Sequence, residues 1–85
     1  MNYKTNELTN TELIYNTDGT LDVTIVSTLR QTNIATGESR SNVIKDSKSF
    51  SNDDDFARCG TAFFMFHYGR VSDMLGKLGD LVDIM

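Results

Sequence analysis

The chain contains no proline and no tryptophan, and it has one cysteine and one histidine in 85 residues. A single cysteine cannot form an internal disulfide, and such low cysteine usage is typical of a reducing compartment. A structural zinc ion takes four ligands from cysteine, histidine or carboxylate side chains, and Cys59 and His67 supply only two at unsuitable spacing. The sequence therefore predicts no metal and no cofactor. It leaves oligomerisation as the route by which so small a domain gains stability.

Long apolar runs are also missing. The run at residues 62–66 is far shorter than the roughly 20 residues that a transmembrane helix needs. The N-terminal stretch MNYKTNELTN has no apolar segment of the signal-peptide kind. We therefore expect a single cytoplasmic domain that makes no contact with a membrane.

The charge is acidic, with a formal net charge of −4. Non-specific binding to nucleic acid or to anionic lipid needs a basic surface, so this charge disfavours both. The same charge favours a protein partner with a basic surface.

The first half of the chain alternates apolar and polar residues, as a half-buried strand does. In LDVTIVSTLRQT one face is apolar except at Ser27, which interrupts it. Asp18-Gly19 before this strand and Gly37 after it are turn signals. We therefore predict a three-stranded antiparallel meander over residues 8–50, with residues 1–7 as a flexible N-terminus. The apolar members of that strand face are Leu21, Val23, Ile25 and Leu29.

The second half, residues 52–84, is predicted to be helical. Ser51 or Asn52 can cap the helix, and residues 53–55, three aspartates, meet the positive end of the helix dipole in the first turn. This interpretation makes the acidic triplet a capping feature rather than a metal or acid–base site. A strand at residues 61–67 is the competing interpretation of the aromatic run, since short apolar runs are ambiguous.

Apolar residues recur along this helix at heptad spacing and predict a dimer seam. A helix of this length would span ~50 Å, whereas a compact domain of 85 residues has a diameter of ~30 Å. We therefore expect the helix either to break at Gly69 or to pack its far end on a partner. The seam residues are Phe64, Val71, Met74, Leu78 and Leu81. The expected core and seam together are Val23, Ile25, Leu29, Phe56, Phe63, Phe64, Val71, Leu75 and Leu78.

Catalytic motifs are not evident in the sequence, which has no glycine-rich phosphate loop, no CxxC and no serine in a nucleophile elbow. His67 is predicted to be a satisfied or partly buried histidine at an interface, because Asp73 is at the wrong spacing to orient it as a general base. Cys59 is predicted to be a small buried hydrophobe. We predict that the protein is not an enzyme.

Two binding functions follow from the charges. The first is a small, acidic, homodimeric interaction protein whose helix face of Asp73, Asp80 and Asp83 docks on a basic protein surface. In its more specific form, the protein would inhibit a nucleic-acid-processing protein, as phage-encoded blockers inhibit host nucleases. The alternative is a nucleic-acid-binding module with a basic sheet face. The residues of that face would be Arg30, Arg40, Lys45 and Lys48.

Overall fold

The computed structural model describes residues 3–84, and it describes side chains for residues 3–77. Three antiparallel strands form one sheet in the order β1-β2-β3, and a C-terminal helix follows. The predicted α+β meander is confirmed. The elements are β1 Tyr3–Tyr15, β2 Leu21–Asn33, β3 Ser39–Phe50 and α1 Asp53–Ile84.

β1 begins earlier than expected. Residues 3–7, expected to be a flexible N-terminus, instead pair with the end of β2, from Tyr3 opposite Asn33 onward. The segment has no apolar alternation because its side chains are exposed, apart from half-buried Tyr3, so backbone pairing with a long β2 is what makes it a strand. This half of β1 carries no pattern from which a strand could be predicted.

Both predicted turns are present. Gly19 has φ of 90° and Gly37 has φ of 80°, values that glycine adopts without strain. In the first turn the Gly19 N–H donates to the Asn16 carbonyl at 3.0 Å, and the Asp18 carboxylate accepts from the Thr20 N–H at 3.0 Å. Each turn reverses the chain so that neighbouring strands pair in register.

Helix α1 packs on β2 and β3, and its contacts form two apolar clusters separated by a polar centre. Most of the expected core is buried or half-buried. Leu75 departs from the prediction, since 40% of it is exposed, and Leu78 lies outside the described side chains. The first cluster is Leu21, Val23, Ile25, Phe50 and Phe63 with Phe56, Cys59 and Phe64 at its border. The second is Leu29, Ile44 and Val71 with Met74 at its border.

The helix does not break at Gly69. The expected diameter of ~30 Å was wrong, because it assumed a spherical domain. The other alternative, that the far end of the helix packs on a partner, stays a prediction. The strands are 12 or 13 residues long, the radius of gyration is 16.5 Å and the longest dimension is 52 Å. A long sheet therefore accompanies a long helix. The alternative of a strand at residues 61–67 was wrong, since these residues are helical.

Asn52 caps the helix, as one of the two predicted residues. Its side-chain oxygen accepts from the Asp55 N–H at 2.8 Å, and the Asp55 carboxylate accepts in return from the Ser51 N–H at 3.1 Å. The Phe50 ring packs edge-on against Phe56 at 5.2 Å between centroids, which fixes the angle at which the chain enters the helix. The capping interpretation of the acidic triplet therefore holds at Asp55.

Asp22 ties the first turn to the third strand. Its carboxylate accepts from Ser49 Oγ at 2.5 Å and from Asn16 Nδ2 at 3.0 Å. Both hydrogen bonds lower the pKa of Asp22 below its ordinary value of 3.8, and the bond from Ser49 has the larger effect. The pKa of Asp18 is lowered by its bonds from Thr20. Folding therefore favours the charged form of both carboxylates, compared with the unfolded chain.

Replacing the cap tests the helix start. We expect Asn52→Ala to lower the free energy of unfolding by about 1 kcal/mol because the Asp55 N–H loses its acceptor, which corresponds to a melting temperature lower by about 4–8 °C. Asn52→Asp keeps a capping oxygen and should unfold close to the wild type. Thermal unfolding followed by circular dichroism measures both, and equal melting temperatures for the two variants would contradict this role.

Acid titration tests Asp22. Since its folded pKa is lowered, its contribution to stability is present above the unfolded value near 3.8 and is lost as the pH falls through the folded pKa. Asp22→Asn should therefore be less stable than the wild type at neutral pH, and the difference should disappear in acid. Urea unfolding at a series of pH values measures this. A difference that persists unchanged at the acid end would contradict the linkage.

Candidate functional site

Two polar side chains, Ser27 and His67, lie fully buried where the helix crosses the middle of the sheet, each with 0% exposure. Ser27 is the residue that interrupts the apolar face of β2, and His67 lies on the helix face that packs on it. A buried polar group costs free energy unless it is hydrogen-bonded. The two residues satisfy each other, with Ser27 Oγ and His67 Nε2 2.7 Å apart.

The hydrogen bonds continue in both directions and cross all three strands. His67 Nδ1 lies 2.7 Å from Asp46 Oδ2 on β3. Ser27 Oγ lies 2.8 Å from Thr9 Oγ1, on the residue directly opposite in β1. We call Asp46, His67, Ser27 and Thr9 the polar line.

Asp46 accepts hydrogen bonds from two residues of the helix. Its second oxygen bonds Arg70 Nη1, so the carboxylate bridges His67 and Arg70 on successive turns of α1. The Asp46 side chain is 10% exposed, whereas that of Arg70 is 47% exposed. Charge-assisted bonds of this kind are stronger than neutral ones. The carboxylate therefore anchors one side of the helix to β3.

The direction of the hydrogen bonds follows from the hydrogen-bond partners. Because a carboxylate only accepts, His67 Nδ1 carries a proton and donates to Asp46. In the neutral ring Nε2 then accepts from the Ser27 hydroxyl, which accepts from Thr9. In the charged ring Nε2 donates to Ser27 Oγ, and the Ser27 hydroxyl donates to Thr9 Oγ1. The Thr9 hydroxyl then donates to Glu7 Oε1, 3.2 Å away. The line is hydrogen-bonded throughout in either protonation state.

Serine, histidine and aspartate in this order are also the residue types of a hydrolytic triad. A nucleophile must reach its substrate, and neither Ser27 nor His67 has any exposed surface while the helix lies on the sheet. The prediction that His67 is a satisfied histidine is confirmed, and the ring is fully buried. Its partner was missed, because only Asp73, on the same helix, was considered, whereas β3 supplies Asp46.

The predicted helix seam is used within the chain. Val71 is buried against Leu29 and Ile44, and Met74 borders the same cluster. Phe64 borders the first cluster. The remaining seam residues, Leu78 and Leu81, lie outside the described side chains.

The predicted acidic face can be described only at Asp73, which is exposed. Asp80 and Asp83 lie outside the described side chains. Among residues 3–77, no three histidine, cysteine or acidic side chains come together as a metal site would need. No helix in the described part of the chain is long and apolar enough to cross a membrane.

The four basic residues of the alternative function do not share a face. Lys45 is paired with Val26, and Arg30 with Ser41, on the face of the sheet away from the helix. The other two, Arg40 and Lys48, are paired with Gln31 and Val23 on the helix side. Arg40 Nε also donates to the buried Gln31 Oε1 at 3.3 Å. The basic residues are therefore split between the two faces, two on each.

Large apolar side chains remain exposed on the helix. Met65 is 69% exposed and Phe66 is 62% exposed, while Tyr68 is 49% exposed. Phe66 lines a shallow depression between the helix and β3, with Ala62 and Lys48 among its other lining residues. The sequence indicated an apolar segment around residues 63–66, but not which side chains would face outward.

Comparison with protein-family models, with curated proteins and with solved structures found no match to this chain. The described surface offers two distinct features, the exposed flank of the helix and the largely exposed strand β1.

A serine substitution tests the polar line. Ser27→Ala should lower the free energy of unfolding by about 1–3 kcal/mol, because buried His67 Nε2 loses its partner. The matched control is Ser47→Ala, which removes an exposed hydroxyl bonded to Thr24 at 3.1 Å and should cost less than about 1 kcal/mol. Urea unfolding measures both. Equal losses in the two variants would mean that the buried bond adds nothing.

Proposed function

We propose that this chain is a small, acidic, non-enzymatic protein-interaction domain that binds a protein with a basic surface through the exposed flank of α1. The observation that carries the proposal is the exposure of Phe66, 62%, beside Met65, 69% exposed, on a helix whose other phenylalanines pack inward or at the border of the core. Aromatic residues and methionine are enriched where proteins bind one another.

The flank combines apolar and charged groups, and Arg70, which lies between Phe66 and Asp73, is paired with Asp46. Phe66 and Asp73 are seven residues apart, so they lie on the same side of the helix, two turns apart. Burying one phenylalanine side chain stabilises a complex by about 1.5–3 kcal/mol before other costs. An exposed carboxylate nearby adds charge selectivity and steers a basic partner toward the flank.

A basic partner is favoured by the charge of the whole chain. The net charge of −4 speeds association with a positive surface and slows approach to phosphate. Proteins that process nucleic acids present such positive surfaces. Occupation of one by this domain would compete with nucleic acid, so we propose inhibition of a nucleic-acid-processing protein as its mode of action.

Capture with matched baits tests the proposal. The baits are the wild type, Phe66→Ser with Asp73→Lys, and Val43→Ser as the control, since Val43 is 63% exposed on the opposite side of the sheet. We expect a protein retained by wild type and control to be lost with the flank variant. With that protein purified, loss of Phe66 alone should weaken binding about 30-fold, as for a hot-spot residue.

Two outcomes would contradict this function. One is a flank variant that retains the same protein with unchanged affinity. The other is a wild type that binds a mixed DNA and RNA oligonucleotide pool with an affinity that falls steeply with salt, and loses it in Arg30→Glu with Lys45→Glu. The second result would instead favour the nucleic-acid-binding alternative.

A further inference from the structure

Strand β1 buries very little. Only Tyr3 and Thr9 are half-buried, and the remaining side chains of the strand are exposed. The strand is therefore held mainly by its backbone hydrogen bonds to β2. Its apolar side chains include Leu8, 64% exposed, Leu13, 41%, Ile14, 46%, and Tyr15, 65%.

The outer edge of β1 is also open to pairing. Natural edge strands are usually protected by proline, by bulges or by lysines. β1 contains no proline, and it pairs with β2 without interruption over its 13 residues. Lys4, near its start, is its one basic residue. The opposite edge, β3, carries Arg40, Lys45 and Lys48, as a protected edge does.

We propose that β1 pairs antiparallel with β1 of a second copy of this chain about a two-fold axis at Leu8, which makes a continuous six-stranded sheet. In this register Lys4 lies opposite Glu12 of the second copy, and Glu12 lies opposite Lys4. The symmetry repeats each contact, as in any two-fold interface. This self-association is independent of the flank used in the proposed function.

The charges of the strand favour this register over the two neighbouring registers, which are centred on Glu7 and Thr9. Pairing about Glu7 would place two glutamates directly opposite each other, and like charges at such positions are unfavourable. Pairing about Thr9 would place Lys4 opposite Ile14. Pairing about Leu8 places the positive Lys4 opposite the negative Glu12. It also brings the two exposed Leu8 side chains into contact at the axis. The strand is thus complementary to itself in this alignment.

The helix side of the strand fits the same alignment. Tyr3 lies opposite Leu13 of the second copy, an aromatic–apolar pair of the kind that stabilises neighbouring strands. Thr5 lies opposite Thr11 of the second copy. The two pairs named on the face away from the helix, Lys4–Glu12 and Leu8–Leu8, and the two named on the helix side therefore all match in polarity.

Charge exchange tests the proposal. Light scattering after size exclusion should give the wild type twice the 9.5 kDa of one chain at high concentration. Lys4→Glu and Glu12→Lys each place like charges opposite each other twice, and each should weaken the dimer about tenfold or more. When the two variants are mixed, every such pair is again opposite in sign, so a heterodimer should form.

The mixture also shows that each variant is folded, since only folded chains can restore the dimer. Lys45→Glu, on the other edge strand, is the control and should dimerise as the wild type does. A wild type that has the mass of one chain at every concentration would overturn the proposal. So would a dimer that Lys4→Glu and Glu12→Lys leave unchanged, since its contact would then lie elsewhere.

Discussion

The width of one helix limits how many strands of the sheet can be covered, and the position of the core follows from that limit. An α-helix with its side chains is about 10 Å across, and neighbouring strands are about 4.8 Å apart, so one helix covers about two strands. Helix α1 covers β2 and β3. The core therefore lies between these elements, and β1 completes the sheet without being covered.

The polar line is the exception within that covered region. Two apolar clusters pack on either side of Ser27 and His67. Apolar packing tolerates small shifts of a helix, whereas a histidine that must reach Ser27 and Asp46 at once accepts few positions. The line thereby sets where the helix lies along the sheet, and Arg70 adds a second bond to the same carboxylate.

Local patterns predicted much of the fold. The alternation in β2, the turn glycines and the capped helix start are properties of short segments, and each is present. Ser27 and His67 were visible as polar residues among apolar ones, but their pairing depends on how the helix lies on the sheet. The register between strands likewise decides that Arg40 and Lys48 face the helix side, while Arg30 and Lys45 do not. These contacts join residues that are far apart in the chain, so no single segment of the sequence predicts them.

Helix α1 leaves β1 uncovered, and we propose that a second copy pairs with its free edge. Residue-resolved amide hydrogen exchange at high protein concentration tests this pairing. At a free edge every second N–H points to solvent and exchanges fast, as we expect for β3. If two β1 strands pair, exchange should be slow at consecutive residues in the centre of β1, around Leu8. Alternating fast and slow exchange there, as in β3, would contradict it.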